Sequence, residues 1–152
     1  MSGIVGSGKS RSGLILPRGG YRFYVINTNS TQGSDGYWTA NIAITNIGNC
    51  FDLTNDKFVV PVTGAYQLHF HSLYRGSGYV RSSWYVDGSK FNQPSNSSYS
   101  DLYTSTDHTM VAMNGIFDFN AGQEIQVYSV ISSGDLYADA NGHNGFSGHL
   151  IV

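Results

Sequence analysis

Apolar and polar residues alternate with a period of two in seven stretches of this chain. The alternating stretches are residues 21–26, 38–47, 58–74, 79–86, 109–119, 124–131 and 146–152. Successive side chains of a β-strand point to opposite faces, so the alternation is typical of strands with one side in a core. The pair Asp87-Gly88 between two such stretches is a strong hairpin signal. Many short strands at this spacing predict an all-β sandwich.

The composition argues against helices. Long helices are usually built from Glu, Lys, Ala and Leu, and this chain has one Glu and three Lys beside 19 Gly, 11 Tyr and 8 Phe. A chain of 152 residues suits one domain, which we place at residues 21–152. Cys50 is the single cysteine, so the chain cannot form an internal disulfide.

Residues 1–20 have a different character and are predicted to form a flexible anchoring arm. The segment is rich in Gly and Ser, and residues 1–22 hold four basic residues and no acid, whereas the rest holds four basic and ten acidic residues. Its anchoring candidates are Lys9, Arg11, Leu14, Ile15, Leu16 and Arg18. A basic arm on an acidic body favours docking to a neighbouring protein. The other interpretation is an arm kept soluble by a few charges.

Several functions are disfavoured by what the sequence lacks. No apolar run reaches membrane-spanning length, the start has no apolar centre of a secretory signal, and no basic run suits nucleic acid. The stretch Gly3–Ser10 satisfies the phosphate-loop pattern, but it lacks the preceding strand and the following helix that bind phosphate. The five histidines, Cys50 and the single Glu124 form no catalytic pattern, so we expect no enzyme.

Three segments resemble the complement C1q globular-head family. The first two are the family signature from Asn46 to Phe70 and the stretch from Gly115 to Val127, which resembles the family's penultimate hairpin. The closing Phe-Ser-Gly-x-Leu strand is the third. The matching residues are Asn46, Phe51, Phe58, Gly64, Tyr66, Phe70, Phe146, Gly148 and Leu150, with Leu68 in place of a Phe and Ala40 in place of the first aromatic. The resemblance implies a ten-stranded jelly roll related to tumour necrosis factor and assembled as a homotrimer, with these residues in the core and the trimer interface. Trp38, two residues before Ala40, is expected to fill the aromatic position.

The first 13 residues resemble the openings of virion structural proteins from tailed phages. This resemblance implies a virion accessory protein, on the capsid or as a tail or fibre component, whose arm binds a neighbouring virion protein. Two alternatives remain: a receptor-binding tip that recognises host surface glycan or protein, and a soluble C1q-like lectin unrelated to a virion.

Two groups of residues are candidates for metal binding. His69 and His71 share one face of a strand, so copies in a trimer could converge on an axial ion or respond to pH. The alternative is a pair of histidines on a polar sheet face. Asp135 and Asp139 lie in an oxygen-rich loop that would suit calcium, although no later Glu completes a calcium loop and turn formation explains the same residues.

The candidate ligand-binding residues are tyrosines with a neighbouring cation. They are Tyr74, Arg75, Tyr79, Tyr99 and Tyr103. Mixtures of Tyr, Ser and Asn are typical of adaptable binding loops, and residues 92–107 are predicted to form such a loop. The alternative is a solvated loop with ordinary tyrosine packing.

Overall fold

The structure, a computed structural model, describes residues 20–29, 31–92, 97–101, 108–139 and 141–151. All regular secondary structure in these residues is β, which confirms the all-β prediction. Within the same residues, no helix has the length and apolar character needed to cross a membrane.

Thirteen strands lie in the described residues, and four of them are only two residues long. They are β1 (Arg22–Ile26), β2 (Gly36–Tyr37), β3 (Ile42–Ile47), β4 (Phe51–Asp52), β5 (Lys57–Val59), β6 (Gly64–Arg75), β7 (Tyr79–Val86), β8 (Ser89–Lys90), β9 (Ser97–Asp101), β10 (His108–Phe119), β11 (Glu124–Ile131), β12 (Asp135–Leu136) and β13 (Asn144–Leu150).

The strands form two antiparallel sheets that face each other. Sheet 1 has the order β10-β6-β13-β1-β3, with β12 beside β6. Sheet 2 has the order β4-β5-β11-β7-β8, with β2 beside β11 and β9 beside β7. The chain repeatedly crosses from one sheet to the other, and this crossing makes the domain a jelly roll.

Two predicted features differ from the structure. The stretch from Gly115 to Val127 is not a hairpin, because β10 belongs to sheet 1 and β11 to sheet 2, and the turn between them carries the chain across the sandwich. Residues 92–107 are not wholly a loop either, because β9 pairs with β7 from Tyr79↔Asp101 to Ser83↔Ser97. The Ser-rich sequence of β9 carries no alternation of apolar and polar residues, so the sequence does not predict this strand. Its pairing with β7 identifies it in the structure.

The alternation of side chains builds the core as the sequence predicts. On β6, Tyr66, Leu68 and Phe70 are all fully buried, and the residues between them are more exposed. The core is rich in aromatic rings: Phe23 lies 4.9 Å from Phe58 and 4.8 Å from Phe146, measured between ring centroids. Such packed aromatic pairs stabilise a core beyond the area that they bury.

The turn at Asp87-Gly88 forms as predicted. Asp87 has φ of 51° and Gly88 φ of 75°, so both central residues lie in the left-handed region that a tight hairpin turn requires. β7 and β8 then pair through Tyr85↔Lys90 and Val86↔Ser89.

Two asparagine side chains form the pair of hydrogen bonds with a neighbouring backbone that a strand residue would form. The Asn46 amide donates to the Phe51 carbonyl at 2.9 Å and accepts from the Phe51 N–H at 3.0 Å, which spans the turn between β3 and β4. Asn144 makes the same pair of bonds with the backbone of Asn27, at 2.8 Å each, in the interior. Each amide therefore satisfies one backbone donor and one acceptor that the strand ladders leave open.

Candidate functional site

The residues of the family signature lie together around the core. Phe51, Phe58, Tyr66, Leu68, Phe70, Phe146 and Gly148 are buried, and Asn46, Gly64 and Leu150 are partly buried. Trp38 is buried and its ring lies 5.5 Å from that of Phe70, while Ala40 is also buried. Trp38 thus supplies aromatic contact next to the position where the family has its first aromatic.

Two signature glycines lie where an added Cβ would meet neighbouring side chains closely. A Cβ on Gly148 would lie 2.7 Å from both Leu68 and Phe23, so β13 can pass between these side chains only with glycine there. Gly64 has no positive φ, so backbone conformation does not explain it. A Cβ on Gly64 would instead lie 2.9 Å from the Leu150 side chain, so contact with β13 explains this glycine.

The outward face of sheet 1 carries most of the exposed large apolar side chains of the described residues. These are Ile42, Ile44, Met110, Ile116 and Ile151. A depression of about 660 Å³ lies on the same sheet, and its lining includes Tyr24, Gln67, His69, Ser147 and His149. Ile42 and Ile44 lie on β3 and Met110 and Ile116 on β10, the two edge strands of the sheet. Exposed apolar side chains spread across one sheet face are typical of an interaction surface.

His69 and His71 lie on this face, on β6. Their ring centroids are 5.3 Å apart, and the His71 Nε2 lies 3.2 Å from the Gly142 carbonyl oxygen. Burial and the neighbouring His71 lower the pKa of His69, so its imidazole is neutral at pH 7. Among the residues that the structure describes, no three His, Cys, Asp or Glu side chains are grouped to hold a metal ion.

The predicted calcium loop is occupied by contacts within the protein. Asp135 binds Arg75 through two bonds of 3.1 and 2.9 Å, and the Arg75 guanidinium lies 4.5 Å from the centre of the Tyr137 ring. Asp139 accepts from Asn141 and lies 2.8 Å from the His143 Nδ1. Desolvation alone would raise the pKa of Asp139, but hydrogen bonds from Asn141 and His143 together lower it. The two aspartates thus have separate partners and do not converge.

The predicted ligand-binding residues do not form one site. Tyr74 is fully buried and its hydroxyl donates to the Ser133 carbonyl, which removes it from the surface. Arg75 pairs with Asp135, and Tyr79 is exposed on β7. Tyr99 is described only through its strand pairing with Arg81, and Tyr103 lies outside the described residues. The arm candidates Lys9, Arg11, Leu14, Ile15, Leu16 and Arg18 lie outside them too.

An aromatic cluster that the sequence analysis missed lies on the outward face of sheet 2. Tyr37, Tyr85 and Tyr128 contact one another: Tyr85 and Tyr128 stack at 4.9 Å between centroids, and Tyr37 meets them edge-on at 5.7 and 5.2 Å. We call these three residues the tyrosine cluster. Alternation places Tyr85 and Tyr128 on outward positions, but only the pairing of β2, β7 and β11 brings the three rings together.

Cys50 is buried rather than reactive. Burial raises the pKa of its thiol to about 11, so the nucleophilic thiolate is scarce near neutral pH.

Two facing antiparallel sheets with this strand order define the class of jelly-roll sandwiches. The C1q domain model matches residues 22–151, so the chain belongs to the C1q domain family. The globular domain of zebrafish complement 1qA has a similar structure, with a TM-score of 0.67 and 18% identity over 87% of this chain and 98% of that one. Murine APRIL, in a crystal structure at pH 5.0, has a TM-score of 0.68 and 11% identity over 86% of this chain and 98% of that one. No curated protein matches the chain.

Membership of this family sets the general class of function. C1q- and TNF-like domains are generally non-enzymatic modules that bind or build structures. The virion origin inferred from the first residues of the sequence is not reflected in these similarities and stays a prediction.

Proposed function

We propose that this chain is a non-enzymatic homotrimeric head whose three copies meet through the outward face of sheet 1. The observation that carries the proposal is the set of exposed Ile and Met side chains on that face. Homologues in the C1q and TNF families are trimeric, which supports the same arrangement. Removing one such side chain fully from water contributes about 1.5–3 kcal/mol, so covering this face would favour association.

Mutation of Ile116 tests the interface. Its side chain is 64% exposed, so Ile116→Asp leaves the core of one chain intact while placing a charge in the proposed contact. We expect the variant to sediment as a monomer at concentrations where the parent is a trimer. Leu53→Asp is the matched control, because Leu53 is 37% exposed and follows β4 of sheet 2.

Two results would contradict the trimer. One is a parent protein that is monomeric and folded at micromolar concentration. The other is an equal loss of trimer in the Ile116 and Leu53 variants, which would mean that the charge acts through general destabilisation.

We place the trimer, as part of the same proposal, on the surface of a phage particle as a capsid-decoration or tail or fibre accessory protein. The resemblance of the first 13 residues to virion proteins supports this placement, and the basic, Gly- and Ser-rich segment 1–20 would be the anchor to a neighbouring virion protein. Deletion of residues 1–20 should abolish incorporation into particles and leave the trimer unchanged. A deleted chain that still enters particles would contradict the anchor.

A receptor-binding tip is a second candidate, favoured by the exposed tyrosine cluster on the side of the sandwich opposite the proposed interface. Adsorption of the isolated trimer to host cells would favour it over decoration. A soluble C1q-like recognition protein is compatible with the same family match. Absence of the protein from purified particles would favour that function.

A further inference from the structure

Three Asn-Gly pairs occur in this chain, and the fold places them in different surroundings. They are Asn114-Gly115 on β10, Asn141-Gly142 in the turn before β13, and Asn144-Gly145 on β13. An asparagine that precedes glycine is prone to deamidation, because glycine has no Cβ to keep its backbone nitrogen away from the asparagine side chain. The reaction also needs a backbone that can bring these two groups together, so the local structure decides which pair reacts.

The Asn141-Gly142 pair is accessible. Both residues are exposed, and Gly142 has φ of 82°, in the left-handed region. A Cβ added to Gly142 would meet no atom within 4 Å, so the space around this glycine is open. In the part of the chain that the structure describes, the Gly142 N–H has no hydrogen-bond partner.

The Asn141 side chain is held only by its own turn. Within the described residues it has one hydrogen-bond partner, Asp139, whose Oδ2 accepts from the Asn141 Nδ2 at 2.8 Å. Asp139 lies two residues away along the chain, so this bond does not tie Asn141 to a distant strand. The side-chain carbon of Asn141 can therefore approach the Gly142 nitrogen.

The Asn144-Gly145 pair is held rigidly. Asn144 is fully buried, and its side chain makes two bonds of 2.8 Å with the backbone of Asn27. A Cβ added to Gly145 would lie 2.6 Å from the Tyr24 ring, so this glycine has no free space.

The Asn114-Gly115 pair is exposed on one side but fixed by its strand. Asn114 pairs with His69 and Gly115 with Leu68 along the ladder between β10 and β6. A Cβ added to Gly115 would collide with the Phe117 ring. Both strand pairs must therefore open locally before they can react.

We propose that Asn141 is a site of spontaneous deamidation, which converts it to aspartate or isoaspartate while Asn114 and Asn144 persist. The Gly142 nitrogen bonds to the Asn141 Cγ, the Cγ–Nδ2 bond breaks, and the amide nitrogen leaves as ammonia with the proton of the Gly142 N–H. Water then opens the resulting succinimide ring. Opening at the main-chain carbonyl of residue 141 gives isoaspartate, and opening at Cγ gives aspartate.

The modified turn lies against β6, so its products alter that contact. The Gly142 carbonyl oxygen lies 3.2 Å from the His71 Nε2, and the His143 carbonyl accepts from the Leu73 N–H at 2.7 Å. Isoaspartate adds a carbon atom to the main chain before Gly142. Either product also places a second carboxylate beside Asp139, and like charges repel. All these groups belong to one chain, so the inference does not rest on the proposed trimer.

The test follows deamidation of the full chain by mass spectrometry during incubation in mildly alkaline buffer. Fragmentation of chymotryptic peptides assigns the reaction to each asparagine and distinguishes isoaspartate from aspartate. We expect Asn141 to react at least about tenfold faster than Asn114 and Asn144, because the strand pairs react only from locally opened states. In urea that unfolds the chain, the three pairs should react at similar rates, since the fold no longer separates them.

Variants assign the charge change to the turn. The formal net charge of the chain is −2, and deamidation adds one negative charge, so the product separates by anion exchange. Asn141→Gln should not form the early acidic product, because glutamine would have to close a larger ring. Asn114→Gln is the matched control, since Asn114 is also exposed, and it should form this product at the parental rate.

The isolated products test the contact with β6. The isoaspartate form should unfold at a lower urea concentration than Asn141→Asp, which adds the same charge without lengthening the main chain.

Four results would overturn the proposal. The first two are equal rates at the three asparagines of the folded chain, and a reaction at Asn141 that is fast only in urea. The third is an acidic product that forms in Asn141→Gln at the parental rate. The fourth, equal urea midpoints for the isoaspartate form and Asn141→Asp, would overturn the effect on β6.

Discussion

At the scale of single residues, buried serines show how hydrogen bonding decides the effect of a mutation. The Ser82 and Ser129 hydroxyls lie 2.9 Å apart in the interior of sheet 2, whereas the buried Ser72 hydroxyl has no partner among the described residues. Burying a polar group without a hydrogen-bond partner destabilises the fold, because the group loses its bonds to water. Removing one member of a buried pair leaves the other member in that unfavourable state.

We therefore expect opposite outcomes for two identical substitutions. Ser72→Ala should raise the free energy of unfolding by about 1 kcal/mol, and Ser82→Ala should lower it by about 1–2 kcal/mol because Ser129 is left unpaired. Urea denaturation at one protein concentration measures both. The same sign of change in the two variants would show that the Ser72 hydroxyl has a partner.

At the scale of elements, the sequence predicts strands well and strand partners poorly. The alternation on β6 and β7 identifies the buried face of each, because burial of one face depends only on the strand's own residues. The separation of β10 and β11 into different sheets depends on contacts with distant strands, which no local pattern records. The tyrosine cluster was missed for the same reason, since its rings come from three strands.

The asparagine that the family signature contains has a clear role at this scale. We expect Asn46→Ala to lower the free energy of unfolding by about 2 kcal/mol, because the Phe51 N–H and carbonyl both lose their partner. Asn144→Ala should cost more, because Asn144 is fully buried and water cannot replace its bonds. The exposed Asn114 on β10 is the control, and Asn114→Ala should change the free energy by less than about 0.5 kcal/mol. Equal effects at Asn46 and Asn114 would refute this role.

At the scale of the whole molecule, His69 links stability to pH. Its pKa is lowered in the folded chain, so the unfolded chain takes up a proton first as the pH falls below about 6.5. The contribution of neutral His69 to the free energy of unfolding is therefore complete above that pH, and it declines as the pH falls. Ser147 and Asn114 face it across β13 and β10, and neither supplies a negative charge to offset protonation.

We expect the free energy of unfolding to fall between pH 7.5 and 5.5, and to fall less in His69→Gln. Denaturation curves at a fixed protein concentration measure the difference, since association also affects apparent stability. Parallel pH profiles for the two proteins would contradict a role for His69.

The pairing of the two ends of the described chain constrains how the protein is made. β1 lies between β3 and β13, with Val25 opposite Phe146. Sheet 1 therefore cannot form completely until the residues of β13 have left the ribosome. Until then, the apolar faces of the earlier strands remain exposed to water. The domain can therefore complete its fold only after β13 has left the ribosome, and a nascent chain halted before Asn144 should remain a client of chaperones.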